Sequence, residues 1–364
     1  MHVLEAISSI LPPPHYLSLP SAGVDISDTS LKYIQFAPDH QLGRNLHLKY
    51  WGDVDIPAGV LSRGEVSDKA KLSDAIREVK ERTGIRFVRV SLPEERAYLF
   101  ETEIKKGTDF REVHNMLEFR LEENVPLNPR DAYFDYYIFD NALDESRLTV
   151  SVTAYGKETI NNYYEACQNA GVTPLSFEVE AQAIARASLP MGDMGTHLIV
   201  DFGKTRTGVG IVHQGILMYT STIDLGGKDL SASLRRQLGE KEEHELTEMK
   251  NNLGLVRSQD DSAIYEALIS SMSAIKDEIA LRIQYWNNRN DVGKDRFVES
   301  VILCGGSSNL KGLPGYLTET LGISTKRADV WQNAFDIEEH VPPIGLRYSY
   351  GYATAIGLGL APFV

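Results

Sequence analysis

The chain has 364 residues, 42% of them hydrophobic, with 37 Lys and Arg against 51 Asp and Glu and a formal net charge of −14 at pH 7. That length exceeds the usual reach of one hydrophobic core, so two or more subdomains are expected. The acidic balance argues against nucleic acid and anionic membranes as main partners, because both are held by clustered Lys and Arg that this chain spreads evenly.

The N-terminal stretch Met1 to Pro20 carries Val3, Leu4, Ile7, Ile10 and Leu11 and ends at Pro12-Pro13-Pro14. It lacks the basic opening and long apolar core of a signal peptide and reads as a leader, with a short docking helix as the alternative. Ala22 to Phe36 then forms the first hairpin. A small apolar lead runs into Asp25, a hydroxyl-rich turn follows with Ser27, Thr29 and Ser30, and a strand resumes. Leu46 to Ile56 alternates as a third strand, Gly59 and Gly64 mark loops, and Ser67 to Gly84 is predicted as a helix with Leu72, Ile76 and Val79 on one face. Phe87 to Leu92 is a buried strand. Together these make an α/β unit of the kind that presents ligands at strand ends.

From Pro93 to Tyr155 the texture changes to a small β-rich subdomain inserted into the first half. It has strands at Ala97 to Ile104, Tyr133 to Phe139 and Leu148 to Tyr155, and a helix at Phe110 to Asn124. The aromatic strand, with Tyr133 and Tyr136, is a candidate docking edge for a partner segment. Lys157 to Gly171 is predicted helical and Thr173 to Glu178 extended. Glu180 then leads a small-residue helix (Ala181, Ala183, Ala185, Ala187), which a second one at Gly351 to Leu360 can cross closely, either as a hinge or as plain packing.

His197 to Gly215 repeats the first pattern. Leu198 to Val200 is apolar, Asp201 follows, and Gly203, Thr205 and Thr207 make a turn whose N–H and hydroxyl groups can face an anion. An acid beside such a turn implies a cation, since a carboxylate repels phosphate unless Mg²⁺ stands between them. Thr220 to Leu225 reads as a strand, Gly226-Gly227 as a break and Lys228 to Leu238 as a helix. The charged run Glu240 to Lys250 reads as a solvated helix face, from which Glu248 or Lys250 could reach a ribose. Ile264 to Trp286 is the clearest helix, with Asp260 and Asp261 at its head. Finally a buried strand, Val301 to Leu303, runs into Gly305-Gly306-Ser307, a turn suited to adenosine or a phosphate. Cys167 and Cys304 are the only cysteines, which excludes a disulfide framework or cysteine metal site and suits a reducing, cytoplasmic location.

An acid hairpin, a glutamate-led small helix, a second acid hairpin, a strand-Gly-Gly turn and a final small-residue helix, in this order, resemble the actin-like ATPase superfamily. Within it, LPEERAYLFETEI, NVPLNPRDAYFDYYIF, IDLGGKDL and VILCGGSSNLKGLPGYL are most similar to the type IV pilus assembly protein PilM family. The resemblance implies an α/β, actin-like (ribonuclease H-like, duplicated) fold with two lobes around a nucleotide cleft. The division would be a leader at 1–20, a first lobe at 21–92 and 157–190 with the C-terminal helix 345–364, an inserted subdomain at 93–156, and a second lobe at 191–344.

It further implies ATP with Mg²⁺ as cofactors. Asp25 and Asp201 would be the metal-side acids, Ser27 to Ser30 and Gly203 to Thr207 the phosphate turns, Gly305, Gly306 and Ser307 the adenosine turn, and Glu180 the acid that orients water. The implied partner is the cytoplasmic tail of an inner-membrane pilus protein of PilN type, with self-association left open. Ser27 stands where the first turn usually has Gly, Ala181 replaces a frequent Pro, and Ala280-Leu281 falls where a basic residue is common, with Arg282 displaced. These departures suit an adaptor that is at most a slow ATPase. A filament-forming division protein of FtsA type and a small-molecule kinase of the same superfamily are the alternatives.

Overall fold

The computed structural model describes residues 19–38, 46–140, 146–257, 262–289, 296–335 and 341–364. The leader reading and the Asp260-Asp261 helix start fall outside the described residues, apart from Leu19 and Pro20.

In chain order the first half runs β1 (Ser21–Ile26), β2 (Ser30–Pro38), β3 (Leu46–Asp55), a short hairpin of β4 (Leu61–Ser62) and β5 (Glu65–Val66), α1 (Lys69–Thr83) and β6 (Phe87–Leu92). There follow β7 (Tyr98–Lys105), α2 (Phe110–Asn124), β8 (Ala132–Asp140), β9 (Arg147–Gly156), α3 (Lys157–Asn169), β10 (Thr173–Val179) and α4 (Glu180–Ser188). The second half runs β11 (Thr196–Phe202), β12 (Thr207–His213), β13 (Ile216–Ile223), α5 (Gly227–Leu238), α6 (Glu243–Asn252), α7 (Ser262–Asn287) and β14 (Ser300–Cys304). It closes with α8 (Leu313–Leu321), β15 (Ser324–Arg327), α9 (Leu346–Ser349) and α10 (Ala353–Leu360).

Two five-stranded sheets share one topology, with orders β10-β6-β1-β2-β3 and β13-β12-β11-β14-β15. In each, the leading strand pairs antiparallel with a meander on one side and parallel with two crossover strands on the other. The two acid hairpins of the sequence are therefore the same element of a duplicated α/β fold. Parallel central strands are buried on both faces, and β1 accordingly has no exposed position. Ile264, Leu268, Met272, Ile275, Ile279, Ile283 and Trp286 of α7 are all buried against the second sheet.

A third sheet, β7-β9-β8, is covered by α2 through Val113, Leu117 and Leu121. Its strand β7 also reaches the second half, where Glu101 pairs with Arg289 at 3.1 Å and Arg296 at 2.7 Å, both guanidiniums lying by the Trp286 ring.

Four stretches differ from the sequence reading. Gly64 sits in a hairpin turn, not a loop, with Arg63 at φ 50 and Gly64 at φ 73. The strand expected from Thr220 begins at Ile216, because Gln214 and Gly215, at φ 52 and 76, fold β12 straight back into β13. The charged run is a helix, α6, as its reading as a helix face expects, but it is not wholly solvated: Leu246 and Lys250 are buried. α8 and β15 were not anticipated beyond a helix start.

Candidate nucleotide cleft and apolar groove

Parallel strands of an open α/β sheet point their carboxyl ends at one crevice, and that rule places the acids here. Asp25 lies near the end of β1, Glu94 just past β6, Glu180 at the start of α4 just past β10, Asp201 near the end of β11 and Gly305 just past β14. All five line a single cavity of about 310 Å³ between the two sheets, with Ser27, Thr29, Ser30, Gly203, Thr205 and Gly306. Asp25 and Asp201, far apart in the chain, thus face one space.

Each turn is fixed by its own hydrogen bonds. In the first, the Ser27 backbone N–H donates to the Ser30 carbonyl at 2.9 Å, and Ser91 of β6 donates its hydroxyl to Asp25 at 3.1 Å. In the second, the Gly203 N–H donates to the Arg206 carbonyl at 3.0 Å, and the Gly227 N–H to the Gly203 carbonyl at 3.0 Å. Gly305 has φ +81, and a Cβ there would meet the Asp201 carboxylate at 2.3 Å. Only glycine permits that approach.

The cavity is strongly acidic: Asp25, Asp28, Glu94, Glu95, Glu180 and Asp201 face three cations, Lys32, Lys204 and Arg206. Burial raises the Asp25 carboxyl, with Lys32 and the Ser91 hydroxyl pulling the other way. Burial and then the Asp25 charge push Asp201 up to about 6. Glu180 is raised well above the usual range by burial, then by Asp25, Glu94, Asp201 and Asp28. Glu94, 4% exposed, is raised to about 8 by burial and by Asp201. The Ala181 and Val209 N–H groups and the Thr220 hydroxyl face its oxygens, yet neither oxygen closes a hydrogen bond.

Clustered acids that resist ionising are satisfied by a cation. Among the described residues no three Asp, Glu, His or Cys side chains converge to chelate a metal unaided. The donor set therefore fits a hydrated divalent ion that takes further ligands from phosphate, as Mg²⁺ does.

Several predicted residues sit elsewhere. Thr207 is fully buried and donates its hydroxyl to the Leu225 carbonyl at 2.8 Å, so it staples β12 to the end of β13 and does not face the cavity. Ser307 donates to the Gly203 carbonyl at 2.9 Å, tying the two turns of the second half together. Lys250 points inward from α6, donating to the Gly227 carbonyl and the Ser231 hydroxyl, and Glu248 accepts from Asn252 at 2.6 Å on the helix surface. Their neighbours Asn251 and Asn252 instead line a second cavity of about 370 Å³ with Asn309, Lys311, Arg327 and Arg347, and Tyr350 borders both spaces.

Glu94 and Glu95 were missed by the sequence reading, although the carboxyl end of the recognised strand Phe87 to Leu92 pointed to them. Asp28 and Arg206 lie within the two expected phosphate turns, but their ion pair carried no local signal, because it depends on how the halves dock.

A third cavity, about 280 Å³, is an apolar groove where β8 of the small sheet meets β10 and α4. Tyr133 and Tyr137 line it together with Phe177 and Leu217, and Asp135 and Glu178 supply acid. Tyr136 does not: strand alternation turns it to the other face, against Phe110 and the small core.

The sequence matches the family described as Type IV pilus assembly protein PilM over residues 23–363. The chain is similar in structure to a PilM-PilN type IV pilus biogenesis complex, at 22% identity and TM-score 0.75, over 95% of this chain and 99% of that one. It is also similar to the ethanolamine utilization protein EutJ from Carboxydothermus hydrogenoformans, at 17% identity and TM-score 0.52, over 96% and 90%. A third likeness is to MreB5 of Spiroplasma citri bound to ADP, at 13% identity and TM-score 0.53, over 87% and 94%. At these identities the three establish the fold, which is actin-like.

Proposed function

The chain belongs to the type IV pilus assembly protein PilM family, and we propose that it serves as an actin-like adaptor whose cleft holds Mg-ATP and whose groove takes the cytoplasmic tail of an inner-membrane partner of PilN type. The observation that carries the nucleotide half is the convergence of Asp25 and Asp201 from two sheets of one topology onto one cavity that Gly203, Gly305 and Gly306 also line.

Asp25 and Asp201 would hold the magnesium through its water shell, and the Ser27 to Ser30 and Gly203 to Arg206 turns would offer N–H groups to the phosphates. Bound magnesium would supply the positive charge that lets these carboxylates ionise. Gly305 and Gly306 border the cavity toward Tyr350, so the nucleoside would extend past them to Asn251, Asn252 and Asn309. Glu180 would be the acid that orients a water, but burial favours its neutral form, which accepts a proton poorly. That balance supports binding with slow turnover, and neither the filament nor the kinase alternative is favoured by a family match over this length.

The groove supports the partner half by its aromatic wall and by its place on the subdomain that interrupts the first lobe. Among the described residues no helix is long and apolar enough to cross a membrane, so a position at the inner face of the membrane would come through the partner. Two measurements test the proposal. Calorimetric titration of Asp25→Ala and Asp201→Ala is expected to show Mg-ATP affinity reduced by at least about tenfold with folded spectra retained; unchanged affinity counts against the cleft. A tail peptide is expected to lose on the order of tenfold in affinity for Tyr133→Ala and Tyr137→Ala but not for Tyr136→Phe.

A further inference from the structure

Arg206 lies on the turn between β11 and β12, and its backbone is pinned there: its carbonyl accepts from Gly203, and a Cβ on Gly226 would meet its nitrogen at 2.6 Å. Its side chain crosses the cavity to the other half. The guanidinium pairs with Asp28 of the first turn and with Glu95 just beyond β6. The three side chains are only 19 to 20% exposed, so the pairs are screened less than surface ones. Lys32 and Lys204 are the other cations of the cavity, and neither pairs with a carboxylate on the opposite lobe among the described ion pairs. Arg63 also reaches across, to Asp224 at 3.2 Å, but that pair is mostly exposed and worth little.

A guanidinium presents a planar fork of donors that fits a carboxylate and a phosphate equally well. Arg206 stands on the same turn whose N–H groups face the cavity, so a polyphosphate held there comes within reach of that fork. Carboxylates and phosphate then compete for one group. We infer that Arg206 fastens the empty cleft by bridging Asp28 and Glu95, and that an incoming nucleotide polyphosphate takes the guanidinium from them. Arg206 is thus a ligand-binding residue that exchanges an internal anion for the ligand's, and the lobes are held together by carboxylates before binding and by phosphate after it. This deepens the nucleotide reading above and rests on it.

Two variants separate the roles. Arg206→Gln removes the fork; Asp28→Asn with Glu95→Gln leaves the fork and removes its internal partners. In nucleotide-free protein both are expected to speed amide hydrogen exchange of residues 27–30, 94–97 and 203–207 by about tenfold, as befits lost charge-assisted bonds. Arg206→Lys should retain part of the protection. In Mg-ATP titrations the two variants should move in opposite directions. Arg206→Gln should bind about tenfold more weakly and the double variant about tenfold more tightly. Unchanged exchange, or weaker binding by the double variant, overturns the hand-over. If the unaltered chain binds Mg-ATP yet neither variant changes its affinity, the hand-over alone fails; if it binds none, the nucleotide reading fails with it.

Discussion

A carboxyl that is 4% exposed and faces Asp201, as Glu94 does, ionises only against lost hydration and like-charge repulsion. Its folded value of about 8 lies above the 4.5 of a free glutamate. Between those limits the folded chain keeps a proton that the unfolded chain has shed, so stability falls as pH rises through the interval and is flat below it. Asp201, raised to about 6, adds a smaller loss at lower pH. The nucleotide-free protein should therefore lose about 2 kcal/mol or more of stability from mildly acid to mildly alkaline pH. Glu94→Gln, neutral throughout, should flatten the upper part of that slope. Urea denaturation across pH checks this, and a mutant slope parallel to the parent's would remove Glu94 as the cause. The same residue marks what could be read beforehand. Asp25 and Asp201 were legible because an acid before a polar turn is a local pattern. Thr207 and Ser307 were misplaced because their hydroxyls are used inside the lobe, a matter of long-range contact that no local pattern encodes.

At the scale of elements, the crossing of α4 and α10 depends on missing side chains. Arg186 of α4 donates to the Gly357 carbonyl at 3.0 Å, and a Cβ on Gly357 would fall 1.7 Å from the Ala183 carbonyl oxygen. Backbone cannot step aside there, so Gly357→Ala should cost about 3 kcal/mol. Gly315 in α8 has open space around its missing Cβ, and Gly315→Ala should gain up to about 1 kcal/mol from helix propensity. Thermal melts of the two variants should shift in opposite directions; equal shifts would deny the close crossing. Runs of Ala and Gly announced this contact in the sequence, as the three- and four-residue spacing announced α7. The charged run suggested a solvated helix face but gave no sign of the side that α6 buries, which is little more than Leu246 and Lys250. Within α6, Lys250 and Asn251 lie about 100° apart around the axis. Lys250 is therefore spent on bonds inside the lobe, while its neighbour Asn251 lines the second cavity.

The whole molecule joins its parts against chain order. The small sheet is inserted between β6 and α3 of the first lobe, yet Glu101, 8% exposed, is fastened to Arg289 and Arg296 of the second. Ser151 of β9 donates to the Leu217 carbonyl at 3.1 Å, and the Leu217 N–H donates to Gln182 at 2.8 Å, so subdomain and both lobes meet at one residue of the groove. Gln182 is two residues beyond Glu180 on α4, so this hydrogen bond ties the helix that carries Glu180 to the second lobe. This docking was not legible, since each partner looks like an ordinary surface residue until the lobes are placed together. Glu101→Gln deletes the carboxylate that both guanidiniums face, and removing one partner of a buried pair costs about 3 kcal/mol. The loss should be local. Hydrogen exchange is expected to accelerate in β7 and in the strand that follows the helix α2, while the first sheet keeps its protection. Uniform acceleration across both lobes would mean that the triad supports global stability and does not specifically join the subdomain to the second lobe.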